Sequence, residues 1–130
     1  LGPVVELGRV ATGVRRVIPI VGGTVRGAAD RALDGEVLPG GADWNLTRDD
    51  GSVELWARYE IRLAGGAVVS VLNTAVHATG AEPPLLTQPR FEVGEGGPDL
   101  LRTGAFVGLL EPPTTAPRVR IEVHRVLALP

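Results

Sequence analysis

The sequence predicts an all-β fold, a single antiparallel β-barrel domain with little helix over residues 1–130. Three observations carry this. The chain is 44% hydrophobic and 22% charged, enough apolar matter for one core and too much for a disordered chain. Gly (18) and Pro (11) make 29 of 130 residues backbone punctuation, a density that suits short strands and turns rather than long helices. Apolar and polar residues alternate with period two over 53–63 and 118–124, as in half-buried strands. About eight to ten strands in a chain this short must dispose of their edges, and closure into a barrel is the common solution.

Taken in order, residues 4–10 form a short β-type run ending near Thr12-Gly13, and residues 15–20 a second. Gly22-Gly23 then marks a tight turn or a bulge before Val25. The Ala-rich stretch 27–33 reads as one helical turn or a loop. Residues 34–38 begin another strand, which Pro39-Gly40-Gly41 re-aims into residues 43–47. Asp50-Gly51 supplies the positive φ of a hairpin turn. The clearest strand follows: Leu55, Ala57, Tyr59, Ile61 and Leu63 alternate with Glu54, Trp56, Arg58, Glu60 and Arg62. Ala64-Gly65-Gly66 turns it back into residues 67–76, so 53–76 is a long antiparallel hairpin. Beyond it come a loop (78–84), a strand (88–93), a Gly-rich loop, one helical turn (99–102), an apolar strand (106–110), a Pro-rich loop and a last strand in which Val119, Ile121 and Val123 alternate with charged residues.

Composition excludes several kinds of function. A net charge of −2 lacks the basic stripe that nucleic acid demands. The absence of Cys removes disulfides, thiolate metal sites and cysteine nucleophiles. All 13 basic residues are Arg, so no lysine serves as Schiff base, P-loop cation or base. The longest apolar runs are strand-length, well short of the roughly 20 residues of a membrane helix. No signal peptide is visible, and a cytoplasmic location is expected.

Catalytic strings are sparse. The only serines are Ser52 and Ser70; neither sits in G-x-S-x-G, and Ser70 is mid-strand, against a Ser-His-Asp triad. His77 and His124 are far apart and in no metal-binding spacing, so no metal is expected. Asn45-Leu46-Thr47 matches a glycosylation sequon by chance. What remains is a polar set beside glycines and aromatics: Asp43 and Trp44 after the Pro-Gly-Gly kink, Arg58 beside Tyr59, Arg90 beside Phe91, and Arg16 before Ile-Pro-Ile. Converging in a barrel mouth, a carboxylate, guanidinium groups and an indole make a pocket for an organic ligand. Each residue also has a plainer explanation, a structural ion pair for Asp43 and a core place for Trp44.

The strings Arg16-Val-Ile-Pro-Ile-Val-Gly-Gly-Thr-Val, Gly35-Glu-Val-Leu-Pro-Gly-Gly-Ala-Asp-Trp44, Glu54-Leu-Trp-Ala-Arg-Tyr59 and Pro89-Arg-Phe-Glu92 stand in this order. With them the chain resembles the bacterial and fungal family DUF3237, also called UPF0311, over nearly its whole length. The resemblance implies a lipocalin-like (calycin-type) barrel without a settled activity. It implies that the family's recurring polar positions fall on Arg16, Asp43, Trp44, Arg58 and Arg90. Where members often carry Gly and Arg after the second hairpin strand, this chain has Asn73-Thr-Ala-Val-His77, which makes Asn73 and His77 candidates for a specialised role.

Two function classes follow. One is a cofactor-free enzyme of cyclase, isomerase or lyase type, with Asp43 as acid/base, Arg58 and Arg90 steadying an oxyanion or carboxylate, and Trp44 and Tyr59 as apolar wall. The substrate would be an organic metabolite, acidic or carbonyl-containing, bound also by Arg16, Asn73 and His77. The other is a non-catalytic carrier in which the arginines hold an acidic group. An oligomerisation module is a third, weaker reading. Asp43, Trp44, Arg58 and Arg90 are expected to converge on one cavity. Trp56, an indole on a charged face, points to a homodimer.

Overall fold

The computed structural model describes residues 1–28 and 30–130. Ten strands run in chain order: β1 (Val5–Val10), β2 (Gly13–Ile20), β3 (Gly23–Val25), β4 (Gly35–Val37), β5 (Gly41–Arg48), β6 (Val53–Leu63), β7 (Val68–His77), β8 (Leu85–Val93), β9 (Ala105–Glu111) and β10 (Arg120–Val126). Helix among the described residues is confined to two single 3-10 turns, Arg31–Leu33 and Asp99–Leu101. Every pairing is antiparallel. The hydrogen-bonded path is β1-β2-β5-β6-β7-β8-β9-β10, with the β3–β4 hairpin attached through β4 to β6. No helix among the described residues is long and apolar enough to cross a membrane.

The long hairpin of 53–76 forms as its alternation predicts, as β6 and β7 in a register that runs from Val53↔His77 to Arg62↔Val68. Its predecessor turn is closed by Gly51 at φ +86, while the Asp50 carboxylate accepts both the N–H and the O–H of Ser52. Those two bonds lower the Asp50 pKa. The Pro-Gly-Gly kink also does what its composition implies. β4 pairs Val37 with Ile61 and β5 pairs Ala42 with Arg58, so the chain advances five residues from β4 to β5 while β6 advances three. The extra two residues form a bulge at Pro39-Gly40, with Gly40 at φ +113.

The sheet does not close, which corrects the expectation of a complete barrel. β1 and β10 are both edges. β1 is bent by a register shift between Glu6 and Gly8, and β10 presents Arg120, Glu122, His124 and Arg125 along one exposed strand. Bulges and charges are how edges avoid pairing. The result is a curled antiparallel sheet whose better-covered face carries the core. On β7 the alternate residues Val69, Val71, Asn73 and Ala75 are all buried, and β6 contributes Leu55, Ala57, Tyr59, Ile61 and Leu63 to the same face, as their alternation predicts.

Candidate functional site

Opposed residues in an antiparallel register share a face, so the pairings sort every proposed site residue. Ile18, Asp43, Ala57, Asn73 and Pro89 stand opposite one another across β2, β5, β6, β7 and β8 on the inner face. Arg16 and Asn45 are paired two residues along on that same face. Tyr59 pairs with Val71, which pairs with Phe91, and His77 with Val53, all again on the inner side.

Arg58, Trp44 and Arg90 fall on the other side. Arg58 pairs with Ala42 and Leu72, and Leu72 with Arg90, one residue out of phase with Asp43. Trp44 pairs with Val17 and meets Trp56 edge to face, ring centroids 5.6 Å apart, both indoles 39% exposed. The expected convergence of Asp43 with Trp44, Arg58 and Arg90 is therefore overturned. Period-two alternation divides a strand into two faces; it is the packing of the whole sheet that decides which one turns inward. Here the apolar half of β6 does, which sends Arg58 out.

Asp43 is placed by a local irregularity. The β5–β6 ladder has pairs at Asp43↔Ala57 and Leu46↔Glu54 but none between them. In that gap the Trp44 carbonyl turns to accept from the Arg15 guanidinium at 2.9 Å. The Trp56 N–H is met instead by Asp43 Oδ1 at 3.0 Å. The other oxygen, Oδ2, has only a long contact from Asn45 Nδ2 at 3.5 Å, and Asn45 Oδ1 receives Arg16 at 3.4 Å. These last two bonds are at the weak end of the range. Asp43 forms no ion pair among the described residues. Burial raises its pKa, opposed by the Trp56 and Asn45 hydrogen bonds and by the nearby Arg16 and Arg15 charges.

Around it, Tyr59 is half-buried and burial pushes its phenol pKa up. Gly41 allows this close fit: a Cβ there would stand 2.5 Å from the Arg58 carbonyl oxygen and 2.6 Å from Tyr59 Cβ. His77 lies at the end of the face, where Nε2 donates to the Leu86 carbonyl at 2.9 Å, an anchoring bond between β7 and β8. Asn45 and Thr87 were not recognised as site residues from the sequence, yet they are 4% and 1% exposed on this face. The signal was present in β5, where Asp43, Asn45 and Thr47 alternate with Ala42, Trp44 and Leu46. Among the described residues two buried side-chain atoms have no hydrogen-bond partner, Asn73 Oδ1 and Thr87 Oγ1.

An open groove of about 580 Å³ lies on the opposite face beside the β5–β6 turn, lined by Arg15, Leu46, Arg48, Asp49 and Glu54 among others. Its charges largely satisfy one another: Arg48 pairs with Glu54 and Asp49 with Arg9, each at 2.9 Å. The inner face, with a half-buried carboxyl free of ion pairs, is the better candidate. Among the described residues no three of His, Asp and Glu gather as metal ligands would.

Fold and face together define a β-barrel-like protein with a polar set on its inner wall. The family described as proteins of unknown function, DUF3237, matches residues 1–126, and the chain belongs to it. A UPF0311 protein of Rhodopseudomonas palustris is 37% identical over 142 residues, covering 98% of this chain and 90% of the relative. The crystal structure of a conserved protein of unknown function from Rhodopseudomonas palustris superimposes with a TM-score of 0.82 at 38% identity, over 97% of this chain and 89% of that one. A β-barrel-like protein from Acinetobacter baumannii gives 0.79 at 25% identity, over 95% and 86%.

Proposed function

We propose that this protein is a cofactor-free enzyme acting on a small organic molecule by proton transfer, of isomerase, cyclase or lyase type, and that Asp43 is its acid/base. The observation that carries the reading is the state of that carboxyl. It sits on the core side of the sheet, is free of ion pairs, and has its pKa raised by burial. A carboxyl moved toward neutrality is better matched to proton transfer near pH 7 than an ordinary one. Oδ1 is fixed by the Trp56 N–H, which leaves Oδ2, met only by the long Asn45 contact, as the oxygen for proton transfer. In an isomerisation, Oδ2 takes a proton from one substrate atom and returns it at another, with no net change in protons or electrons. Charge developing on the substrate falls to Arg16 and Asn45, since Arg58 and Arg90 face away. In this reading the curled sheet serves as a lipocalin-type barrel does, its inner wall holding the ligand, in the cytoplasm.

A carrier is the second reading. It draws support from the Asp43–Trp56 bond, which also repairs the β5–β6 ladder and so gives the carboxylate a structural task. Incubating wild type and Asp43→Asn with a small-metabolite extract, followed by mass spectrometry, separates the two. A compound converted by wild type and left intact by the variant supports the enzyme. A compound retained by both without conversion supports the carrier, and neither conversion nor retention overturns both. We also propose a homodimer through the outer Val17–Trp44–Trp56 row. A twofold axis along that row sets Arg58 of one copy over Glu54 of the other.

A further inference from the structure

We propose that Arg15 is the positioning residue of the inner-face carboxyl: from the opposite face of the sheet it holds open one rung of the β5–β6 ladder, and that opening fixes Asp43. The enzyme reading above supplies only the reason such control matters; the placement of Asp43 stands without it. In the register of β5 and β6, Trp44 stands opposite Trp56, between the pairs Ala42↔Arg58 and Leu46↔Glu54. Residues that exchange both backbone hydrogen bonds recur at every second position, so the Trp44 carbonyl and the Trp56 N–H are the default partners of this rung. They are not joined as a ladder pair. Arg15 Nη1 donates to the carbonyl at 2.9 Å, and Asp43 Oδ1 accepts from the N–H at 3.0 Å. One backbone bond is thus replaced by two charge-assisted ones, supplied by side chains of two strands on opposite faces.

The two halves of the opening depend on each other. Without Arg15 the Trp44 carbonyl loses its partner, and the donor directly across the strand gap is the Trp56 N–H. Restoring that rung takes the N–H from Asp43 and leaves the carboxyl with only the long Asn45 contact at 3.5 Å. The guanidinium is committed to this task. It lines the outer groove together with Asp49, Asp50 and Glu54, yet among the described residues it forms no ion pair: Arg9 takes Asp49 and Arg48 takes Glu54. A guanidinium set among three carboxylates but bonded to a backbone carbonyl serves the backbone. Its reach is sufficient, since crossing β5 from β2 spans one strand spacing, about 5 Å. Arg16, the next residue, faces the other way and bonds Asn45 at 3.4 Å. Two consecutive arginines therefore act on Asp43 from the two faces of β2, and both charges lower its pKa. The remaining titratable side chain on its side is Tyr59, in the next row of β6; burial raises the phenol pKa and keeps it uncharged while Asp43 titrates.

The test is a pH titration of the isotope-labelled protein by NMR, which needs no substrate. A backbone N–H that donates to a carboxylate changes its shift as that carboxylate takes up a proton. In wild type the Trp56 amide is expected to follow the Asp43 carboxyl with a single midpoint. In Arg15→Leu the amide is expected to lose that titration. The Asp43 midpoint is expected to rise, because the Trp56 bond and the Arg15 charge both hold it down. Arg15→Lys, which keeps a charge and a donor on a long stem, is expected to restore both. Loss of charge alone would move the midpoint and leave the amide coupled, so the amide separates positioning from electrostatics. Arg15→Gln, too short to cross β5, is read in the same way and carries the test if Arg15→Leu does not fold. The proposal is overturned if the wild-type Trp56 amide does not titrate with Asp43, or if it still does so in Arg15→Leu or Arg15→Gln. It is also overturned if Arg15→Lys loses the coupling. The enzyme reading is decided separately by the conversion experiment with Asp43→Asn: absence of conversion there leaves the amide titration as it is, and an uncoupled wild-type amide leaves any conversion as it is.

Discussion

Asp43 carries two loads, and pH tells them apart. Its folded pKa is raised by burial, so the native state holds the proton more tightly than the unfolded chain does. Its contribution to stability is therefore fully present below the unfolded value and is lost as pH rises through the folded one. Asp43→Asn keeps an acceptor for the Trp56 N–H and has no proton to lose. Melting curves from about pH 3 to about pH 8 should show the variant gaining on wild type as pH rises through that interval, with a constant difference above it. A difference that runs the other way would mean the carboxylate is better solvated by its neighbours than its burial implies. Arg58 and Arg90 offer the contrast. They are exposed on the opposite face, so Arg58→Ala and Arg90→Ala should each change unfolding free energy by about 0.5 kcal/mol or less. Neither should alter ligand binding on the inner wall, as calorimetric titration would register.

At the scale of the element, β6 was the most legible part of the molecule because its sequence is self-sufficient. Eleven residues that alternate at every position but Trp56, with a turn at each end, specify a strand and two faces without outside help. β5 was less legible. Its inner side carries Asp43, Asn45 and Thr47, polar residues that look like a solvent face until neighbouring strands cover them. The same holds for Asn73 in the apolar run of β7. The Gly41 position ties this element to the site, since the β5 backbone there lies against Arg58 and Tyr59 of β6. Gly41→Ala should cost about 1–3 kcal/mol from overpacking. A lowered urea midpoint at an unchanged slope would register it. An unchanged midpoint would mean that β5 and β6 can part to admit a methyl group.

For the whole molecule, the all-β class and the order of hairpins could be read from turn residues and alternation, but closure could not. Whether two edges meet depends on the accumulated twist and on small register slips such as those at Gly8 and Pro39-Gly40, which no single stretch of sequence declares. The outer face shows another whole-molecule property. Val5, Trp44 and Trp56 stay 54%, 39% and 39% exposed in one row across β1, β5 and β6, an apolar stripe that a second copy would cover. Light scattering at high micromolar concentration should give twice the monomer mass for wild type. Trp56→Glu should reduce it to the monomer mass, and a monomeric wild type would remove the dimer.

The burial of Asn45 has a practical consequence for production hosts. The sequon Asn45-Leu46-Thr47 lies in β5 between β2 and β6, with Asn45 only 4% exposed. An oligosaccharyltransferase meets a nascent chain before its strands assemble, so a chain sent through a eukaryotic secretory pathway could receive its glycan while Asn45 is still accessible. A branched glycan on a side chain only 4% exposed is incompatible with the packing of β5 in the folded sheet. The glycosylated chain would be barred from seating β5 and would be held back as a misfolded product, whereas bacterial cytosolic expression, or Thr47→Ala in a secretory host, avoids the modification.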